Sequence, residues 1–169
     1  LSSSGITATN IGKIYLKQKN FAEALKYFQL AQKRFEIYPD ARGLGELYNN
    51  FGRYFQQTNN QLETVSSFEK ALNEFNKIDD KFGSTDTYYY LGQFYLQQED
   101  YPKALENTEK ALAYAKELQL LESVQNSELA LSTIYEKMGQ SKESLTHLKL
   151  YGIAKDSLQS QENIRQMVQ

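Results

Sequence analysis

Apolar side chains return every three or four positions along this chain, the spacing of one face of an α-helix. Ile11, Ile14 and Tyr15 mark the first such face, and Leu25, Phe28, Ala31 and Phe35 the second. Leu44, Tyr48, Phe51 and Phe55 follow, then Leu62, Val65, Phe68, Leu72 and Phe75. Between the runs stand helix stops and starts. Asn20 with Glu23, and Asn60 with Glu63, read as capping boxes, in which the Asn side chain accepts from a first-turn N–H and the Glu reaches back. Pro39-Asp40 and Asp79-Asp80 mark further turns, and Asp100 is placed to cap a helix with Pro102 in its first turn. Helices are therefore predicted over 6–18 and 21–37 and onward in the same alternation. Gly83-Ser84 falls within or just before a helix start. One helix spans 120–138, and another begins after Gly139-Gln140 with Leu145, Leu148 and Leu150.

The pattern repeats. Gly12, Gly52 and Gly92 stand 40 residues apart, and Ser132 takes the next place. Tyr15, Phe55, Tyr95 and Tyr135 keep the same step, as do Ala24, Thr64, Ala104 and Ser144, and Ala31, Ala71 and Ala111. Small residues where two helices cross let the backbones approach, while an aromatic fills the space between neighbours. The best-marked copy reads Y-x-x-L-G-x-x-Y over Tyr88, Leu91, Gly92 and Tyr95, followed by Asp100, Tyr101, Ala104 and Ala111.

That skeleton resembles the tetratricopeptide repeat, with Tyr where the family usually has Trp. The resemblance covers roughly residues 5–158 and departs from the family in three ways. The period is 40 rather than ~34, the closing Pro is missing, and Tyr151 stands where the fourth copy should have Ala. It implies an all-α fold, a right-handed α-solenoid of four helix-turn-helix units plus a C-terminal helix. One domain spanning 1–169 is expected, with units at about 5–38, 40–78, 81–118 and 121–158 and the last helix at about 159–169. Ile164, Met167 and Val168 in that tail are spaced either to dock on the fourth unit or to pair with a second copy as a homodimer.

Composition narrows the partners. A formal net charge of −2 gives no basic footprint for nucleic acid, and no apolar run reaches the ~18 residues needed to span a bilayer. There is no Cys, so neither disulfides nor thiolate metal sites arise. His147 is the single histidine, set among Leu145, Leu148 and Leu150, and reads as a surface or partly packed residue. Gly43-Leu44-Gly45 lacks the rest of a phosphate-loop fingerprint and reads as a helix start. No catalytic set and no cofactor is expected. The chain begins at Leu1, which points to a processed or excised chain.

In tetratricopeptide folds the first helix of each unit lines the inner wall, so the resemblance implies a bound peptide or protein segment there. The positions three before, two before and one after each glycine are expected to face inward. They are Thr9, Asn10 and Lys13; Asn49, Asn50 and Arg53; Tyr89, Tyr90 and Gln93; and Leu129, Ala130 and Thr133. Asn side chains can pair with both groups of an extended backbone, and Lys13 with Arg53 could hold a carboxylate. The tyrosines could take an apolar side chain.

The segment Leu148–Val168, L-x-x-Y-x-x-A-K-D-S-L-x-S-Q-E-N-I-R-x-M-V, together with the 40-residue period, resembles the end of the repeat region in bacterial membrane-anchored signalling regulators. Such regulators carry their repeats as a sensory region ahead of a membrane helix and a histidine-kinase or DNA-binding output. This second resemblance implies a periplasmic ligand-binding module. A cytoplasmic scaffold that recruits a protein partner is the alternative, and an enzyme the third class.

Overall fold

A computed structural model describes residues 3–168; Leu1, Ser2 and Gln169, the ends of the expected domain, lie outside the described residues. Among the described residues there are eight helices and no strand. They are α1 (Ser3–Lys17), α2 (Phe21–Ile37), α3 (Ala41–Gln57), α4 (Gln61–Asn76), α5 (Lys81–Gln97), α6 (Tyr101–Glu117), α7 (Leu121–Lys137) and α8 (Ser141–Val168). The fold is all-α, four helix pairs in succession. Gly83 and Ser84 lie inside α5. The chain forms two compact units that meet between Thr87 and Tyr88, within α5, and each is described by itself.

Six of the seven turns share one device, the exception being Tyr38-Pro39-Asp40 between α2 and α3. Lys19, Asn59, Asp79, Glu99, Gln119 and Gly139 all adopt positive φ, and the N–H of the next residue donates to a carbonyl five positions back. Asn20 donates to Tyr15, Asn60 to Phe55, Asp80 to Phe75, Asp100 to Tyr95, Leu120 to Ala115 and Gln140 to Tyr135, at 2.8–3.0 Å. This left-handed closure satisfies the last carbonyls of the preceding helix. The closing residue then opens the next helix. The side chain of Asn20 accepts from Glu23 N–H at 3.3 Å, and that of Asn60 from Glu63 N–H at 3.3 Å. Only half of each predicted capping box forms, because the Asn N–H that the Glu would bind is already given to the helix before. Glu23 pairs with Lys26 instead, at 3.2 Å.

Glycine on one helix and a large side chain on another fix how the pairs pack. A Cβ on Gly12 would lie 2.6 Å from Phe28, and one on Gly52 2.5 Å from Phe68, so each glycine admits the ring of its own pair's second helix. In the second unit the place of Phe is taken by Thr108, whose Oγ1 would lie 2.2 Å from a Cβ on Gly92. Ser132 replaces glycine in the last pair and meets Ser144, Oγ to Oγ at 3.2 Å.

A second set of glycines was not recognised from the sequence. Phe75 is buried between Gly45 of its own pair and Gly83 of the next helix, where added Cβ atoms would stand 2.5 and 2.3 Å from its ring. Phe35 is held likewise between Gly5 and Gly43. Gly43 and Gly45, read from the sequence as a helix start, are the two walls on which successive rings rest.

The C-terminal tail corrects an expectation. Residues 159–168 continue α8 without a break instead of forming a separate helix, and they are exposed, so they do not dock on the fourth pair. The inward face of α8 runs through His147, Tyr151, the buried Ala154 and Leu158, and then reaches Gln161 and Arg165, which have nothing apolar to bury.

Because Phe75 is enclosed on both sides, it cannot swing aside for a new methyl group. Gly45→Ala is expected to lower stability by ~1–3 kcal/mol through overpacking. Adding Phe75→Leu should recover part of that loss. Urea unfolding of the two variants and of Phe75→Leu alone checks this; strictly additive losses would show that the two positions do not share one space.

Candidate peptide-binding faces

The first helices α1, α3, α5 and α7 carry the positions expected to meet a ligand, and the structure divides them. Thr9 is buried and donates to the Gly5 carbonyl at 3.0 Å. Asn49 is 7% exposed, and its Oδ1 accepts from Thr87 Oγ1 at 2.8 Å. This amide ties α3 to the start of α5 inside the first unit and is spent on the fold. Asn50 is also buried, with Nδ2 donating to the Glu46 carbonyl at 2.8 Å. Asn10 and Lys13 on α1 are exposed, and Arg53 on α3 is half-buried. Three positions before the glycine is only about 60° around the helix from it, and in the first unit this turns Thr9 and Asn49 toward the packed side.

Charges modify the expected carboxylate grip in the first unit. Glu46 lies near Arg42 and Lys13; burial pushes its carboxyl above the usual range, while those two cations pull it back down. Arg42 itself reaches Asp80, Nε to Oδ2 at 2.9 Å, and Asp80 is buried while its other oxygen accepts from Gly83 N–H at 3.1 Å. The face is therefore mixed in sign rather than purely cationic.

In the second unit Tyr89 and Tyr90 are half-buried and meet edge to face, ring centres 6.1 Å apart. Burial alone raises the Tyr89 phenol above its ordinary value, so it stays neutral and can donate. Tyr88 turns away to Tyr114, at 5.9 Å, with the Lys110 ammonium 5.5 Å from its ring. Three adjacent tyrosines thus serve different sides of the helix. Gln93 is half-buried; Leu129 is exposed, and Ala130 is buried. Thr133 donates back to the Leu129 carbonyl at 3.0 Å.

A polar cluster in the second unit was not foreseen. Glu128 on α7 is 1% exposed and accepts from Lys116 Nζ of α6 at 2.9 Å, while its other oxygen lies 2.7 Å from His147 Nδ1 of α8. His147 also stacks on Tyr135, ring centres 5.3 Å apart and 8° from parallel. One carboxylate so links three helices. The signal was present in the repeat register, where Ala8, Tyr48 and Tyr88 hold the equivalent positions and Glu128 breaks the column. With an ammonium on it, the cluster is built for ion pairing. Among the described residues no group of three or more acidic, His or Cys side chains could hold a metal ion, and no helix is long and apolar enough to cross a membrane.

Two family models described as tetratricopeptide repeat match the chain, over residues 3–77 and 85–118. Residues 3–77 and 85–118 are thus similar to the tetratricopeptide repeat. A search of curated proteins found no match. Among solved structures the chain is similar to the crystal structure of BtubC (BKLC) from P. vanneervenii, with a TM-score of 0.81 and 17% identity. The likeness covers 90% of this chain and 63% of that one, so this chain spans under two thirds of that protein's length. At that identity the likeness speaks for the fold. Tetratricopeptide repeats are protein-binding modules.

Glu128 gives the sharpest test of the cluster. Glu128→Ala should cost ~1–3 kcal/mol, since it leaves polar partners unmatched around a buried gap. His147→Ala should cost less, because Lys116 still meets the carboxylate. Lys116→Ala should cost least, its side chain being half in solvent. Chemical denaturation of the three variants gives the order.

Proposed function

We propose that this chain is a non-catalytic, peptide- or protein-binding module that serves as the sensory region of a bacterial signal-transduction regulator, placed in the periplasm. The observation that carries the binding part is the division of the first-helix columns. Asn49, Thr9 and Ala130 are consumed in packing, whereas Asn10, Lys13 and Arg53 in the first unit and Tyr89, Tyr90 and Gln93 in the second retain accessible surface. The first set offers amide and cationic donors suited to an extended acidic segment, and the second an aromatic edge suited to an apolar side chain. The regulator part is supported by the 40-residue period and by the Leu148–Val168 motif. In this reading the outer face of α8 is where two copies pair.

A cytoplasmic scaffold is the second reading, favoured by the family's general use in protein assembly. It shares the binding faces and differs in compartment and partner.

An acidic-peptide array probed with the intact chain, and then with Arg53→Ala and Tyr89→Ala, tests the binding faces. Loss of one charge-assisted hydrogen bond is worth ~1.5–3 kcal/mol, about 10- to 150-fold in affinity. Arg53→Ala should weaken acidic peptides by that much, and Tyr89→Ala should selectively weaken those with a large apolar residue. A bound peptide that is indifferent to both substitutions would move the binding site to another surface.

A further inference from the structure

The outer side of α8 carries a stripe that the fold leaves uncovered. Leu150, Ile153, Ser157, Ser160, Ile164 and Met167 follow one another at steps of three and four, the spacing of a coiled-coil seam. Its apolar members are accessible: Leu150 is 37% exposed, Ile153 63%, Ile164 60% and Met167 80%. A different face of the same helix, centred about 120° around it, holds the buried Ala154 and the partly buried Tyr151 and Leu158 and packs α8 on its own unit.

The order of residues in the stripe is its own mirror. Read from either end it runs large apolar, large apolar, serine, serine, large apolar, large apolar. Laid antiparallel against a second α8, with the centre between Ser157 and Ser160, Leu150 meets Met167, Ile153 meets Ile164 and Ser157 meets Ser160. Every position then finds a partner of like character. A two-fold contact between identical chains requires this self-complementarity, and a contact with an unrelated partner does not. The serines at the centre allow the two backbones to come close, as small residues do at other crossings in this chain.

The length of α8 agrees. Earlier second helices have 16 or 17 residues, and α8 has 28. The surplus is the exposed tail, which stands beyond the fourth pair with nothing packed on it. Antiparallel pairing sets each tail on the Leu150–Ile153 end of the other copy. The two folded bodies then lie at opposite ends of the pair instead of side by side.

We propose that α8 is an antiparallel, two-fold dimerisation helix whose occupant is a second copy of this chain. The proposal rests on reading the outer face of α8 as the contact between copies, and it adds direction and register to that contact.

The chain has no cysteine, so site-directed cross-linking is clean. Ile153→Cys and Ile164→Cys are prepared separately, and each is oxidised mildly alone and in an equal mixture. In the antiparallel pair the two copies of position 153 are about 16 Å apart along the axis, as are those of 164, well beyond the ~7 Å that a disulfide tolerates. The expected result is a cross-linked dimer from the mixture and none from either variant alone. Cross-linked dimer from either variant alone overturns the antiparallel register while keeping α8 as the contact. Sedimentation equilibrium of the unmodified chain separates the two failures. A concentration-dependent dimer that Ile153→Asp with Ile164→Asp converts to monomer supports the contact, and a monomer at every concentration overturns it. Peptide binding through Arg53 and Tyr89 is read in a different assay and is unaffected by either outcome.

Discussion

Ring-into-glycine packing is the constraint from which the helix pairs take their positions. A phenylalanine on each early second helix needs a gap in the helix beside it, and a glycine is the one residue that leaves the gap while keeping the backbone helical. Gly within a helix costs ~1 kcal/mol relative to Ala. The chain nevertheless places Gly5, Gly12, Gly43, Gly45, Gly52, Gly83 and Gly92 inside helices. Burial of a Phe side chain contributes ~1.5–3 kcal/mol, which exceeds the cost of one glycine and is about equal to that of the two that Phe35 and Phe75 each require. The sequence itself shows the dependence. Ala115 stands in the place of Phe35 and Phe75, and there the register has Thr85 and Ser123 in place of the glycines. At this position the ring and both gaps are lost together, whereas at Gly92 the glycine stays and admits Thr108 in place of a ring.

Much of this was legible in advance because size and period are local properties of a sequence. The 40-residue step of Gly12, Gly52 and Gly92, the apolar faces and the Asn and Asp caps all pointed to helix pairs, and the structure has them. The Gly5–Gly45 and Gly43–Gly83 series kept the same step but passed unnoticed, because glycines near a helix start have a simpler explanation there. The capping boxes failed for a related reason. A turn of two or three residues makes one residue serve both helices, so the N–H of Asn20 was claimed by Tyr15 before Glu23 could use it. A rule derived for isolated helix starts does not count that claim.

The binding faces were legible only as columns. Counting from each glycine located residues on the correct helices, but whether a given side chain is free depends on what the adjacent helix brings. Asn49 and Asn10 share amide chemistry, yet Thr87 takes up one of them, while Asn10 stays exposed. Glu128 was missed for the opposite reason. A single acidic residue in a helix reads as solvated unless its column is compared across units, and only its partners Lys116 and His147, 12 and 19 positions away, explain its burial. Such a buried ion pair adds little net stability over an apolar packing. Its physical effect is to fix which faces of α6, α7 and α8 meet.

The last second helix shows what the repeat grammar does when no further pair of the same kind is described. In the first unit α3 covers the Phe28 and Phe35 positions of α2, bringing Phe51 to 5.5 Å from Phe28 and Gly43 against Phe35. On α8 the equivalents are Leu148 and Lys155, and both are exposed. Lys155 is polar where the earlier copies have Phe, whereas Leu148 keeps the apolar character of its column. The side of α8 bearing Leu150, Ile153, Ile164 and Met167 cannot be explained in this way, because no preceding second helix carries a matching run there: the places of Ile153 and Leu150 are held by Lys33 and Leu30 in α2, Asn73 and Lys70 in α4, and Ala113 and Lys110 in α6. An apolar residue that departs from its column toward water, in a helix lengthened beyond its column, answers to something other than the packing of the repeat.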